Sequence, residues 1–304
     1  MRALSVALIA TIAASAAFGF KGPELKRDKS APVTKRTWED VKKSIDKSIA
    51  RTAYGYFCYS QQFNDIGPID TSGTLSADEL KTQFAMACIL ASPITVNGAK
   101  VDENIEKWIG DKMLMNVNND FVARQGHVVL ERGGIKVLVK YLWGMNGGTF
   151  AAAFYNPTDA AAEITVTPAD VCLKGKVSWT DRFNSAKKGS FTDRFTVKLP
   201  AHGAELYMFQ GRAVMREEYR RECAFEKDGA LVWNSVYAPR DAQYYLAIET
   251  DSNEPYQVRI NGLVDGWFKG PAKFKVSLYQ TENTVRIEGA GAKAVKAIRV
   301  AADR

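Results

Sequence analysis

His127 and His202 are the only histidines in the chain. A His-rich metal site is therefore excluded, and a Ser-His-Asp triad would need one of these two. His202 lies in Leu199-Pro200-Ala201-His202-Gly203, where an imidazole reads as a turn hydrogen-bonder rather than a base. Cys58, Cys88, Cys172 and Cys223 are widely spaced without a Cys-x-x-Cys pair, which argues against zinc. Cys88 and Cys172 sit among apolar neighbours and read as core residues. An oxidised pair is open to an exported chain, but spacing does not reveal its connectivity. Gly144-Met145-Asn146-Gly147-Gly148 reads as a hairpin turn, not a phosphate-cradling loop. No metal and no cofactor follow from this set. Trp143, Trp179 and Trp233 alternate with strand residues and read as core. Trp267, between Asp265-Gly266 and Lys269-Gly270-Pro271, reads as loop-borne. A tryptophan face stacks on the apolar face of a sugar, and Asn261 and Asp265 nearby would fix its hydroxyls.

These groups need elements to hold them. Thr37-Trp38-Glu39-Asp40 opens a helix, because Thr37 caps and Asp40 answers it. Trp38, Val41, Ile45 and Ile49 repeat at helical spacing. Residues 51–74, rich in Gly, Pro, Asn, Asp and Ser, read as a long loop around one short strand. Ser76-Ala77-Asp78-Glu79 is a capping box, and Leu80, Phe84 and Cys88 form one face of the helix it starts, which Ser92-Pro93 ends. Ile94-Thr95-Val96 and Met113–Val117 are expected as strands, with a helix over 102–110 between them. Helix and strand thus alternate across 37–118, the pattern of a β/α architecture.

From about residue 125 the period becomes two. Seven short strands over roughly 85 residues, between Val128 and Phe209, predict an antiparallel sandwich. Residues 212–224 read as a charged junction. Six further strands, from Ala230 to Val300, predict a second, smaller sandwich, with a turn at Asn261-Gly262. The expected fold is an α/β remnant followed by two all-β antiparallel sandwiches.

The chain has 304 residues, 46% hydrophobic and 25% charged, with net charge +7. These values exclude collagen, disordered-tail and disulfide-dense classes. Acids and bases are interspersed, as in Arg216–Glu222, so the surface is mixed and no nucleic-acid partner is expected. Met1-Arg2, an apolar run from Ala3 to Ala17 and a small-residue end at Ser15-Ala16-Ala17 make a signal-peptide pattern over 1–20. The run is too short to span a bilayer comfortably. Export to the periplasm or outside the cell is expected. Residues 21–36 then form a polar linker, 37–119 the α/β part, 120–211 the first sandwich and 212–304 the second.

Several stretches resemble, in order, the C-terminal half of glycoside hydrolase family 27, the α-galactosidase type. They are Thr37–Val41, Phe63-Asn64-Asp65, Leu75–Glu79, Ala91–Ile94, Asn118-Asn119-Asp120 with Arg124-Gln125-Gly126, Asp181-Arg182-Phe183, and Leu199–Gly203. The last 80 residues resemble a shortened carbohydrate-binding module of the family 6 or 35 type, through Trp233–Tyr237, Tyr256–Gly262 and Thr281–Ile287. The first resemblance implies that 37–119 is the late half of a β/α barrel and that Asn64 and Asp65 line a sugar pocket. It also implies a retaining mechanism, which needs two carboxyls roughly 5–5.5 Å apart. A complete barrel takes about 250 residues. The expected nucleophile strand has no counterpart here, and Asp28 is the one remnant of the acid/base strand. Gly67 occupies the place of the motif's second aspartate.

The resemblance implies an α-galactoside-containing glycan as partner. Three readings follow: a galactosidase-like protein with impaired catalysis, a non-catalytic glycan-binding or structural relic, or one half of a split enzyme. A second copy or a complementing barrel half would cover the remnant's open edges.

Overall fold

The computed structural model describes residues 35–52, 64–96, 102–119, 125–142 and 148–303. The signal-peptide pattern, most of the linker with Asp28, Cys58, Phe63, Asp120 and Trp143 lie outside the described residues.

Among the described residues the N-terminal part has four helices: α1 (Trp38–Thr52), α2 (Ala77–Ile89), α3 (Glu103–Gly110) and α4 (Lys112–Asn118). The start of α1 is closed as expected, with Thr37 N–H donating to Asp40 Oδ2 (3.0 Å) and Asp40 N–H to Thr37 Oγ1 (3.3 Å). The full Ser76/Glu79 capping box opens α2. Its apolar partners on α1 are all buried: Trp38, Val41, Ile45 and Ile49.

Two expectations change here. Ile94–Val96 contributes a single parallel bridge, Ile69 to Val96, rather than a full strand. Met113–Val117, expected as a strand, is helical. A buried strand needs a neighbour for its backbone groups, whereas a helix satisfies its own. The ends of α4 are capped from outside. Asp111 Oδ1 accepts from Met113 N (2.8 Å) and Leu114 N (3.0 Å). The wholly buried Lys140 donates to Val117 O at 2.5 Å.

The first sandwich has, among the described residues, eight antiparallel strands: β1 (His127–Arg132), β2 (Ile135–Tyr141), β3 (Thr149–Tyr155), β4 (Ala162–Val166), β5 (Leu173–Asp181), β6 (Lys188–Phe191), β7 (Phe195–Leu199) and β8 (Ala204–Ala213). A six-stranded sheet, β1-β2-β3-β8-β5-β6, packs on the β4-β7 pair. β6 is the one strand of this set that the alternation did not reveal.

β3, Thr-Phe-Ala-Ala-Ala-Phe-Tyr, is buried along its whole length. Successive side chains leave opposite faces. Phe150, Ala152 and Phe154 enter the core shared with β4 and β7. Ala151, Ala153 and Tyr155 enter the core shared with α1, α2 and α4. Alanines on that face let α2 approach closely, and Ala204 and Leu206 of β8 extend the same surface. The molecule is therefore layered helix, sheet, sheet, with Phe84, Trp108 and Phe183 clustered at the helix–sheet boundary (Phe84–Trp108 centroids 5.2 Å, Trp108–Phe183 5.1 Å).

The second sandwich comprises β9 (Glu218–Arg220), β10 (Phe225–Lys227), β11 (Ala230–Ala238), β12 (Ala242–Thr250), β13 (Pro255–Ile260), β14 (Leu263–Lys269), β15 (Ala272–Leu278), β16 (Thr281–Glu288) and β17 (Val295–Ala302). Its sheets are β10-β11-β16-β13-β14 and β15-β12-β17-β9. The six expected strands are present. The charged junction folds too: Arg216 pairs with Asp170 (3.3 Å), and β9 joins the edge of β17. The sandwiches meet through Tyr237, whose ring packs on Tyr141 and Phe150 of the first (6.1 and 6.0 Å).

Replacing fully buried Phe84 by alanine leaves a cavity in the shared core. The expected loss is about 3–5 kcal/mol, measured by urea unfolding followed through tryptophan fluorescence. A loss below about 1 kcal/mol would show that the helices do not depend on this core.

Candidate functional site

In the barrel remnant the polar residues of the motif bind one another and the backbone. Asn64 is 2% exposed, and its Nδ2 donates to Gln125 Oε1 at 2.6 Å. Asn118 Nδ2 donates to Ala87 O (2.9 Å) and Ser92 O (2.8 Å), and Ser92 Oγ accepts from Ile66 N (3.1 Å). Arg36 Nη1 donates to Ile66 O (2.9 Å) and Pro68 O (3.1 Å). These bonds fix the two segments flanking α2 to the end of α4. Gly126 closes the group: its N–H donates to Ile89 O (2.7 Å), and a Cβ there would meet Ile89 Cγ1 at 2.6 Å. Asp65 is exposed, and its Oδ1 accepts from Gly67 N at 2.7 Å. Gly67 has φ +80, so this turn needs a glycine where the motif has its second aspartate.

The outcome for the two motif residues differs. Asn64 is a buried tie, whereas Asp65 holds a turn at the surface with its carboxylate partly open to solvent. Among the described residues no group of three or more His, Cys, Asp or Glu could hold a metal ion.

A second polar cluster joins the helices to the first sandwich. His202 stacks on Trp38 of α1 (4.6 Å, 17°). Its Nδ1 lies 2.8 Å from Glu79 Oε1, and its Nε2 2.7 Å from Asp159 Oδ1. Its carbonyl accepts from Thr82 Oγ1 (2.8 Å). Glu79 serves twice, because its other oxygen accepts from Ser76 N (2.8 Å) in the capping box. Burial works against the His202 imidazolium, but the bonds to Asp159 and Glu79 outweigh it and raise its pKa. Burial also works against ionised Glu79, and the bonds from Ser76 and His202 outweigh that and hold its carboxyl low. The Asp159 carboxylate is 96% exposed, so solvent screens it and Glu79 carries most of the pairing.

In the second sandwich, Trp267 stands on edge strand β14, not on a loop. The adjoining Asp265-Gly266 is a bulge within the β13–β14 ladder, which runs Val258–Gly266 then Arg259–Val264. Phe268 turns inward and stacks on Phe274 (4.2 Å). Trp267 leaves the other face, 68% exposed, the face that exposed Val264 shares through its pairing with Arg259. That face also carries Gln257, directly opposite Trp267, and the Arg259–Glu288 pair (2.6 Å). Reading β14 as a loop hid these neighbours; the alternation of Tyr256 and Val258 inward against Gln257 and Arg259 outward was the signal. Asn261 sits in the two-residue turn with φ +51, its Oδ1 accepting from Thr284 N (2.8 Å) and its Nδ2 donating to Asn283 Oδ1 (2.9 Å). Asp265 is exposed at the bulge, and partial burial pushes its carboxyl pKa up.

Residues 132–209 match the family model described as the alpha galactosidase C-terminal beta sandwich domain. The first sandwich thus matches the α-galactosidase C-terminal domain. A curated relative, "Probable alpha-galactosidase D" of Aspergillus oryzae, is 22% identical over 211 residues, 66% of this chain and 31% of its own. The chain thus spans about a third of that relative's length. α-Galactosidase I of Mortierella vinacea shares the fold at 22% identity and TM-score 0.50, over 57% of this chain and 45% of its own. An isomalto-dextranase of Arthrobacter globiformis T6, solved with panose, shares it at 15% identity and TM-score 0.51, over 82% of this chain and 52% of its own. A match over 82% of the chain must extend past the α-galactosidase C-terminal domain into the second sandwich. No helix among the described residues is long and apolar enough to cross a membrane.

The cluster that ties this domain to the helices carries a pH dependence. With its folded pKa raised, His202 contributes stability that is complete below its ordinary 6.5 and lost as pH rises through the folded value. Glu79, held below its ordinary 4.5, contributes above that value. Urea stability is therefore expected to be higher at pH 6 than at pH 8.5, with the difference reduced in His202→Gln. An unchanged difference in that variant would remove His202 as the cause.

Proposed function

We propose that this chain is an exported, α-galactosidase-like protein that binds α-galactoside-containing glycans and, as this chain alone, does not hydrolyse them. The observation that carries the binding reading is Trp267: an exposed indole on edge strand β14, on the face that also carries the partly exposed Arg259–Glu288 pair. An aromatic face next to a few polar groups suits a sugar ring, which has an apolar face and a rim of hydroxyls. Asp265 lies within the same strand. The galactoside class comes from the α-galactosidase C-terminal domain and from the name of the Aspergillus relative. Export is supported by the N-terminal residue pattern.

The reading of impaired hydrolysis rests on the remnant's own chemistry. Retention needs a nucleophile and an acid/base in facing positions. Asp65 occupies a surface turn, and Asn64, Ser92, Asn118 and Gln125 are engaged in holding the backbone together. The split-enzyme reading shares this chemistry: a separate chain would supply both carboxyls.

The expected result for the purified chain with an aryl α-galactoside is no turnover above the buffer blank. Turnover that disappears in Asp65→Ala would contradict the catalytic part. Titration with galactose-containing oligosaccharides, followed by tryptophan fluorescence and amide NMR shifts, should give a Kd on the order of millimolar, roughly −4 kcal/mol. Trp267→Ala should abolish the shifts while leaving the unfolding midpoint unchanged. No shift at tens of millimolar sugar, or binding that survives the substitution, would overturn the binding part.

A further inference from the structure

We propose that Cys172 and Cys223, both thiols in this structure, oxidise to a disulfide that locks the two sandwiches to each other. The two residues belong to different sandwiches and line one void of about 10 Å³ at their junction, together with Asp170, Arg216, Tyr219 and Trp233. Cys172 ends the short helical turn Ala169–Val171 in a left-handed conformation (φ +58), and its carbonyl accepts from Val214 N (3.0 Å). Cys223 ends the turn Arg221–Cys223 that leads into β10. Each is 3% exposed.

The surroundings favour the chemistry. Arg216, anchored by Asp170 at 3.3 Å, interacts electrostatically with both sulfurs. A cation beside a thiol favours the thiolate, which is the attacking form. Cys88 lies elsewhere, in the core under α2, where burial pushes its thiol up to about 12. Among the described residues the junction is therefore the place where two cysteines converge.

The step needs an oxidant, here a second disulfide of the glutathione or protein-disulfide class. One cysteine thiolate attacks a sulfur of that disulfide, breaking its S–S bond and releasing one thiolate. The other cysteine then attacks the mixed disulfide, releasing the second. Two protein thiols are oxidised, and the two protons they give up end on the released external thiolates, forming two external thiols. Both residues are buried, so exchange takes place while the sandwiches dock. The supply of oxidant in the cell rests on the proposed export; the bond itself does not.

The test refolds the full chain in a glutathione redox buffer, denatures it, alkylates without reductant, and digests with trypsin. Mass spectrometry should find peptide 141–174 linked to peptide 222–227, with both cysteines alkylated after dithiothreitol. Reduction should lower the Tm by roughly 5–10 °C, and the Cys172→Ala/Cys223→Ala variant should show no redox-dependent change. The mass readout needs only the unmodified chain. Full alkylation of both residues after oxidative refolding would overturn the proposal. Linkage of either one to Cys58 or Cys88, or a redox-dependent Tm that persists in the double variant, would do the same.

Discussion

β3 is buried on both faces, and the arrangement of the N-terminal two-thirds follows from that. A strand of a two-layer sandwich ordinarily shows one face to solvent and alternates apolar with polar residues. Thr149–Tyr155 does not alternate, so both faces of its sheet must be covered. The β4-β7 pair covers one, and α1, α2 and α4 cover the other. Fully burying a large apolar side chain contributes about 1.5–3 kcal/mol. The helix-facing surface includes Val128, Leu138, Tyr155 and Leu206 besides the alanines. Detaching the helices would expose all of these together with Phe84 and the apolar stripe of α1. The barrel remnant is thus held by the sandwich, through a core the two share.

That constraint explains the roles of the motif residues. In a remnant that survives by packing on a sandwich, the segments around α2 need fixed backbone paths, and buried polar groups need partners. Asn64, Ser92, Asn118 and Gln125 answer both needs by tying those segments together. His202 and Glu79 do the same at the surface. Among the described residues the edge of β14 exposes Leu263, Val264 and Trp267, and this is where ligand chemistry is proposed.

Most strands were legible because half-buried antiparallel strands write their alternation into the sequence, as in Phe195–Leu199 or Glu205–Phe209. Both capping boxes were legible because they need particular side chains three residues apart. Three failures have physical causes. Met113–Val117 is apolar throughout, and a short apolar run does not reveal whether a strand partner exists; the caps from Asp111 and Lys140 decided for helix. β14 carries Asp265-Gly266, which reads as a turn and is in fact a bulge. β9 and β10 are three-residue strands inside a charged segment, held by their neighbours rather than by any pattern of their own. Of the candidate site, Trp267 was legible as an aromatic without a core role. Gln257, Arg259 and Glu288 were not, because their shared face depends on strand order.

The shared core is tested most directly by native-state hydrogen exchange resolved to single amides. If helix and sandwich form one cooperative unit, the interior amides of α2, from Gln83 to Ile89, exchange with the same opening free energy as those of β3 and β8, and with the same dependence on urea. Exchange of α2 at a much lower opening free energy, with β3 still fully protected, would show that the helices rest on the sandwich without being part of it.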